Sequence, residues 1–405
     1  MTFNPIFEYS CPTRIIHGLG CVARLGAEVK ALGGQRVLIV TDPGIVRAGL
    51  LVPVTKALES SDLSHLLFDS VGHDAQVGAV DRGAQLCRDE KVEVVVAIGG
   101  GSALAAGKAV AAIAANGGSL GDHQGPAKLA VPPLPVIAIP TTAGSGSEVS
   151  AAIPYFDETR GRKTGTQSHH FFPQVALLDA TLLASLPFRQ AVLSGVDALT
   201  HAMEAYLTVQ ATPITDALAL AAIRMLAGNL RAAATTTDLA AQEQALLGST
   251  MANLACGNAK LGLVHLLNRP VNSLYPAIPY GQSIGTLLLP VMAFNLPASV
   301  DRFAAMAQAM GEQSGQGTTR ELAQRCLGAL KQLLVDLRME RRYPPDIVDA
   351  KTIPQMARMC VEGMHGGMQA GDVPDTALVK SFNRRQAAVA DVVRLYEQAF
   401  EGWEV

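Results

Sequence analysis

Two short runs, Arg36–Thr41 (RVLIVT) and Val92–Ile98 (VEVVVAI), are apolar or β-branched at almost every position. A strand with one wet face alternates apolar and polar residues. A strand without that alternation is buried on both faces, as in a parallel sheet covered by helices. The segment around Val136–Ala138 (PVIAIP) makes a third such run. Between the runs, Ile45–Ser60 and Val77–Glu90 place apolar residues at helical spacing. Strand and helix in alternation predict βαβ units and an α/β fold.

After about Pro187 the pattern changes. Ala191–Leu207, Thr215–Ala234 and Leu239–Cys256 are long Ala/Leu/Met-rich stretches with helical spacing. Pro270, Pro276, Pro279 and Pro290 punctuate the next segment, and helical pattern returns at Ser299–Met310, Thr318–Leu337 and Ala387–Phe400. At 405 residues the chain exceeds what one compact core holds. The expected organisation is an α/β domain over 1–187 and an all-helical domain over 188–405.

Several function classes are set aside. The net charge is −3, and no cluster of basic residues suits a nucleic-acid partner. The apolar stretches Val131–Pro140 and Ile284–Phe294 fall short of the ~20 residues of a spanning helix. Met1 to Gly18 has no basic head followed by an apolar run, so no secretory signal is expected. Cys11, Cys21, Cys87, Cys256, Cys326 and Cys360 show no CxxC pair and read as reduced thiols of a cytoplasmic protein.

Two loops carry chemistry. Val92–Ile98 runs into Gly99-Gly100-Gly101-Ser102, with a helix following through Lys108. Glycines let a backbone approach a ligand, and the first turn of a helix offers N–H groups to a phosphate. The alternative is a tight strand-to-helix turn with no ligand. The run Pro140-Thr141-Thr142-Ala143-Gly144-Ser145-Gly146-Ser147-Glu148 ends another buried strand, where open α/β sheets bind ligands. Asp42 also stands at a strand end, as a hydrogen-bond acceptor for an adenosine ribose or as a plain turn residue in Asp42-Pro43-Gly44. In the first role its charge repels a 2′-phosphate and favours NAD over NADP.

In the second half, Asp197 and His201 are four apart on a predicted helix (Gly195–Leu207) and project from one face. A carboxylate and an imidazole so placed chelate one divalent cation. A capping Asp beside a core His is the alternative.

In order along the chain stand HGLG (17–20), VLIVTD (37–42), AIGGGS with Lys108 (97–108), IPTTAGSGSEV (139–149), LLDATLLASLP (177–187), GVDALTHAMEAY (195–206) and LGLVHLLNRP (261–270). Together, over about Tyr9 to Phe400, they resemble the iron-containing (group III) alcohol dehydrogenase family. The resemblance implies the dehydroquinate synthase-like fold of that family, an N-terminal dinucleotide-binding domain and a helical domain with the active site in the cleft between them. It also implies hydride transfer between NAD(H) and an alcohol or aldehyde carbon, with a divalent metal, Fe²⁺ or Zn²⁺, polarising the oxygen. Cofactor contacts map onto Asp42, Gly100, Gly101, Ser102, Thr141, Thr142, Ser145 and Lys163. Metal ligands map onto Asp197, His201 and His265. The family implies a homodimer or larger homo-oligomer.

The chain departs from the family pattern at the metal site. The last histidine of the pattern falls on Tyr280, and the intermediate histidine, close to nicotinamide and substrate, falls on Arg269. A neutral phenol is a poor ligand, so Tyr280 either completes the metal sphere or donates a proton to the alkoxide. Arg269 brings a permanent charge that suits a carboxylate or phosphate. Ala105 replaces a usual Asp of the glycine-loop helix, His73-Asp74-Ala75 a usual Pro-Asn-Pro, and Asn383-Arg384-Arg385 a usual Asn-Pro-Arg. His169 and His170 read as loop-packing residues, and His365 sits in a glycine-rich loop.

Three functions follow. The first is a metal-assisted alcohol dehydrogenase or aldehyde reductase. The second is a metal-independent reductase of a carboxylated carbonyl compound, similar to maleylacetate reductases, in which Arg269 holds an oxo-acid and Tyr280 or His265 donates the proton. The third is a nucleotide-binding protein without catalysis. A lyase acting on a sugar phosphate, on the dehydroquinate synthase side of the superfamily, ranks below them.

Overall fold

The structure, a computed structural model, describes residues 6–72, 74–127, 129–313, 315, 317–362 and 378–403. Its strands are β1 (Arg14–His17), β2 (Arg36–Val40), β3 (Ser64–Phe68), β4 (Val94–Gly99), β5 (Gly125–Pro126), β6 (Val136–Pro140), β7 (Ala152–Asp157), β8 (Arg162–Gln167) and β9 (Val175–Leu178). The helices of the first half are α1 (Leu25–Ala31), α2 (Pro43–Arg47), α3 (Val52–Glu59), α4 (Val77–Asp89) and α5 (Gly101–Asn116). Those of the second are α6 (Phe188–Leu207), α7 (Pro213–Thr235), α8 (Leu239–Ala259), α9 (Leu263–Leu274), α10 (Tyr280–Asn295), α11 (Val300–Ala309), α12 (Thr319–Asp336), α13 (Ile353–Glu362) and α14 (Val389–Glu401).

Six strands form a parallel sheet in the order β1-β9-β6-β4-β2-β3. Every residue of β4 and β6 is buried, as their unbroken apolar sequences require. Register aligns Val40 with Ala97 and Ala97 with Ala138, so the loops after β2, β4 and β6 leave the sheet at one level. From β2 the chain moves outward to β3, whereas from β4 it moves the other way to β6. The carboxyl ends of β2 and β4 therefore flank a switch point, where adjacent loops part and leave room for a ligand. A second, three-stranded sheet, β5-β8-β7, carries the β7–β8 hairpin.

The chain divides into two compact units. One holds Ser10–Pro187 and, with them, Thr237–Asn253. The other holds Phe188–Thr236, the chain from Leu254 onward and the N-terminal residues through Tyr9. A division at 187/188 alone places Thr237–Asn253 and the N-terminal residues differently. The first part of α8 belongs with the sheet because its polar residues bond there. Thr250 donates to Glu148 (2.7 Å) and Asn253 Nδ2 donates to the Ser145 carbonyl (2.6 Å).

Three further local results differ from the sequence pattern. The helical spacing over Ile45–Ser60 is two helices, α2 and α3, interrupted by a turn at Ala48–Leu51. Pro270 and Pro290 do not end helices but lie inside α9 and α10. A proline at 270 removes the N–H that the Leu266 carbonyl would accept, and the Cys360 thiol faces that carbonyl at 4.0 Å. The helix α7 is long and apolar enough by length and composition to cross a membrane. In its own unit it packs against α6 and buries Ala219, Ala222, Ile223, Leu226 and Leu230.

Candidate active site

The nucleotide-type loops lie in the sheet unit. Gly100 is the N-cap of α5 and makes no side-chain cap, so the first-turn N–H groups of that helix stay available to a ligand. The loop after β6 folds against this turn. The Thr141 N–H donates to the Gly99 carbonyl (3.0 Å), and Thr142 lies beside Gly100. A Cβ at position 101 would stand 2.8 Å from Cβ and Oγ of Ser145, so only glycine admits this approach. Asp42 is a capping turn residue. Its Oδ1 accepts from Gly44 N–H (2.7 Å) and Ile45 N–H (3.2 Å) to cap α2, while Oδ2 is turned toward Gly99.

Beneath the loop, Lys108 is buried and donates to the carbonyls of Ser147 (3.0 Å), Ser150 (3.0 Å) and Ala152 (2.8 Å). Burial pulls its ammonium down to about 7, against the opposing charge of Glu148. Lys108 therefore holds the Ser147–Ala152 backbone in place. Ala105 is buried in the same helix. Lys163 stands elsewhere in this unit, on β8, paired with Asp74 at 2.8 Å.

The second cluster lies in the helical unit. Asp197 and His201 face one way from α6, and His265 meets them from α9; one ligand atom of each lies within 4.8 Å of the others. The His201 and His265 rings stack with centroids 4.6 Å apart and 15° between planes. All three residues are buried. His265 Nε2 is 3.5 Å from Asp197 Oδ1 and, among the described residues, has no hydrogen-bond partner. A buried imidazole nitrogen left in this way takes either a second proton, beside Asp197, or a metal cation. One carboxylate and two imidazoles suit a first-row divalent metal, and three protein ligands leave open positions for substrate. The residues fit the expected metal.

Electrostatics around the cluster agree with that reading. Burial disfavours a charge on His265, but the Glu204 and Asp197 carboxylates outweigh it and raise the imidazole to about 9. The ring of Tyr280 lies 6.3 Å from that of His265. Burial and the Asp197 carboxylate push the Tyr280 phenol up, against the opposing influence of the Asn268 amide and the charge of Arg269. It is thus a neutral O–H, able to donate and a poor ligand. Burial, with Asp197 and Glu204, also raises the Cys256 thiol, which disfavours it as a thiolate ligand. Arg269 follows His265 by one turn of α9 and is exposed.

The structure thus brings together Asp42, Gly100, Gly101, Thr141, Thr142 and Ser145 in one unit, and Asp197, His201, His265 and Tyr280 in the other. Ser102 is on the first turn of α5. His169 and His170 are exposed, and the His169 ring packs edge-on to Phe172, as loop-packing residues do. His73 and His365 lie outside the described residues. Sequence reasoning missed Glu204, which accepts from His265 and from the Val264 N–H. Its signal was there: 197, 201 and 204 are i, i+4 and i+7, one helical stripe.

Glycine turns at parallel strand ends and a carboxylate–bis-imidazole cluster on helices are the parts of a nucleotide-dependent, metal-assisted oxidoreductase. Residues 12–180 match the family described as iron-containing alcohol dehydrogenase, and residues 191–400 match the C-terminal part of the Fe-containing alcohol dehydrogenase family. The chain is 34% identical over 351 residues to choline dehydrogenase of Bacillus subtilis (strain 168), covering 84% of this chain and 87% of that one. It is 31% identical over 393 residues to NAD-dependent methanol dehydrogenase of Bacillus methanolicus, covering 97% and 99%. Among solved structures it is similar to 1,3-propanediol oxidoreductase, with a TM-score of 0.89 at 30% identity over 98% of this chain and 100% of that one. The chain belongs to the iron-containing alcohol dehydrogenase family. Its activity is NAD(H)-dependent oxidoreduction between an alcohol and an aldehyde.

Proposed function

We propose that this cytoplasmic enzyme works as a homo-oligomer and holds one divalent ion, Fe²⁺ or Zn²⁺, on Asp197, His201 and His265. Convergence of these three buried side chains is the observation that carries the reading. When bound, the ion polarises the substrate oxygen as a Lewis acid. Tyr280, neutral and adjacent, offers a hydrogen bond to that oxygen and supplies or takes the proton that accompanies hydride transfer.

Gly100, Gly101 and Ser102 at the start of α5, with Thr141, Thr142 and Ser145 beside them, receive the pyrophosphate. Asp42 Oδ2 accepts from the adenosine ribose, which selects NAD(H) over NADP(H). Lys163 is the outlying member of this set.

Substrates are small alcohols or aldehydes. The named substrates of the two relatives are a cation, choline, and a neutral molecule, methanol, so the shared fold alone does not set substrate charge. Arg269 supports the neutral or anionic side. It lies on the turn after His265, and among the described residues no carboxylate pairs with it.

Elemental analysis of protein purified without chelators or affinity-metal columns tests the proposal. The expected result is one divalent metal per chain, lost in Asp197→Ala. Metal-free protein that still binds NADH and reduces an oxo-acid would overturn it in favour of a metal-independent reductase.

A further inference from the structure

The stripe Asp197, His201, Glu204 on α6 does not end in a third ligand. Glu204 reaches the start of α9 instead. Its Oε1 accepts the Val264 N–H at 2.5 Å, and its Oε2 lies 2.6 Å from Nδ1 of His265. The side chain is 2% exposed, so water does not compete for either bond. Gly262 makes the approach possible, because a Cβ there would stand 2.9 Å from Oε1. Gly262 is also the N-cap of α9 and offers no side-chain cap, so Glu204 takes over that task from another helix.

We propose that Glu204 is a positioning residue that keeps the proton of His265 on Nδ1 and presents Nε2, as a lone pair, to the metal. The inference rests on the metal reading above. A carboxylate only accepts, so the ring nitrogen facing it carries the hydrogen. The other nitrogen, 3.5 Å from Asp197 Oδ1, is the one that exchanges its proton for the metal and faces it as a lone pair. Once that proton has left, two acceptors so close in a buried site are stable only with a cation between them. Because the same carboxylate holds the Val264 N–H, it fixes the ligand's backbone and ring together. The helix that supplies two ligands thereby also sets the orientation of the third.

Glu204→Gln tests this. The amide keeps the size of the side chain, but it cannot accept from both the Val264 N–H and the His265 Nδ1–H. With its NH₂ toward the ring, it moves the imidazole proton to Nε2, on the metal side. The affinity for Zn²⁺, measured by competition with a chromophoric chelator, is expected to fall about 10- to 100-fold. Affinity for NADH, read by fluorescence titration, should stay within about 2-fold, since that site uses other residues. In parallel, ¹⁵N NMR of histidine-labelled, Zn²⁺-loaded wild type should show the His265 proton on Nδ1, a readout that needs no variant to fold.

Wild-type zinc affinity in Glu204→Gln, or a proton on Nε2 in the loaded wild type, overturns the role of Glu204 and leaves the metal site standing. Wild type that takes up no zinc overturns the metal reading, and this inference with it.

Discussion

The turns at the strand ends and the cluster on α6 and α9 prepare for their ligands by opposite means. The first is made of backbone and very small side chains. Gly100 and Gly101 leave N–H groups bare, and the loop is held from beneath by Lys108, Thr250 and Asn253. The second is made of long side chains from two helices, buried and converging on one point. A phosphate is met by many weak, replaceable donors, so added bulk damages that site. A metal is met by a few irreplaceable lone pairs, so the loss of one side chain damages that one.

The sharpest break in this comparison is His265→Ala. It should abolish stoichiometric metal and lower kcat/KM by at least ~10²-fold, with NADH affinity within about 2-fold of wild type. Metal retained at wild-type stoichiometry would remove His265 from the site.

Acidity should distinguish the regions next. In the metal-free protein the His265 imidazole is raised to about 9, so metal uptake displaces a proton. Apparent Zn²⁺ affinity should rise roughly tenfold per pH unit toward pH 9 and then level off. Stability of the metal-free protein follows the opposite course. The raised imidazole contributes fully below an unfolded value near 6.5, and that contribution is lost as pH rises through about 9. Chemical denaturation at pH 6.5 and pH 9 checks the second statement, and pH-independent zinc affinity would contradict the first.

Gly101→Ala probes the other region. The added methyl meets Ser145 at 2.8 Å, so NADH affinity should drop about 10-fold while metal content stays at wild type. Unchanged NADH affinity would move the phosphate away from this turn. The smallest expected effect is at Arg269→Ala. For an aldehyde bearing a carboxylate, kcat/KM should fall roughly 5- to 10-fold, and for a neutral aldehyde of similar size it should barely change. Equal losses on both substrates would assign Arg269 a structural role only.

How much of this was legible in the chain differs by region. The unbroken runs at Arg36–Thr41 and Val92–Ile98 read as strands buried on both faces, and β2 and β4 lie on them. β1 and β9, each four residues long, are too short to carry a period of their own. The hairpin of β7 and β8 was illegible for another reason: β8 is polar and half-buried along most of its length, and the pair contains Pro154 and Gly165. Pro270 and Pro290 read as breakers because local propensity counts only the missing N–H. Within α9 and α10 tertiary packing overrides that loss.

At the metal cluster the helical spacing of Asp197 and His201 could be read from sequence, because two residues on one face of a helix share a direction wherever that helix goes. His265 followed only from the family resemblance, since its distance from α6 is not encoded in any local period. Glu204 shows the same limit more plainly. Its place on the stripe is fixed by helical geometry, yet whether it becomes a ligand or a support depends on where the start of α9 comes to rest. The longer elements, their faces and the glycine turns are written in the chain because they follow from short-range sterics and periodicity. Which faces meet depends on long-range packing, and here it sets a carboxylate seven residues from Asp197 onto the ring of His265.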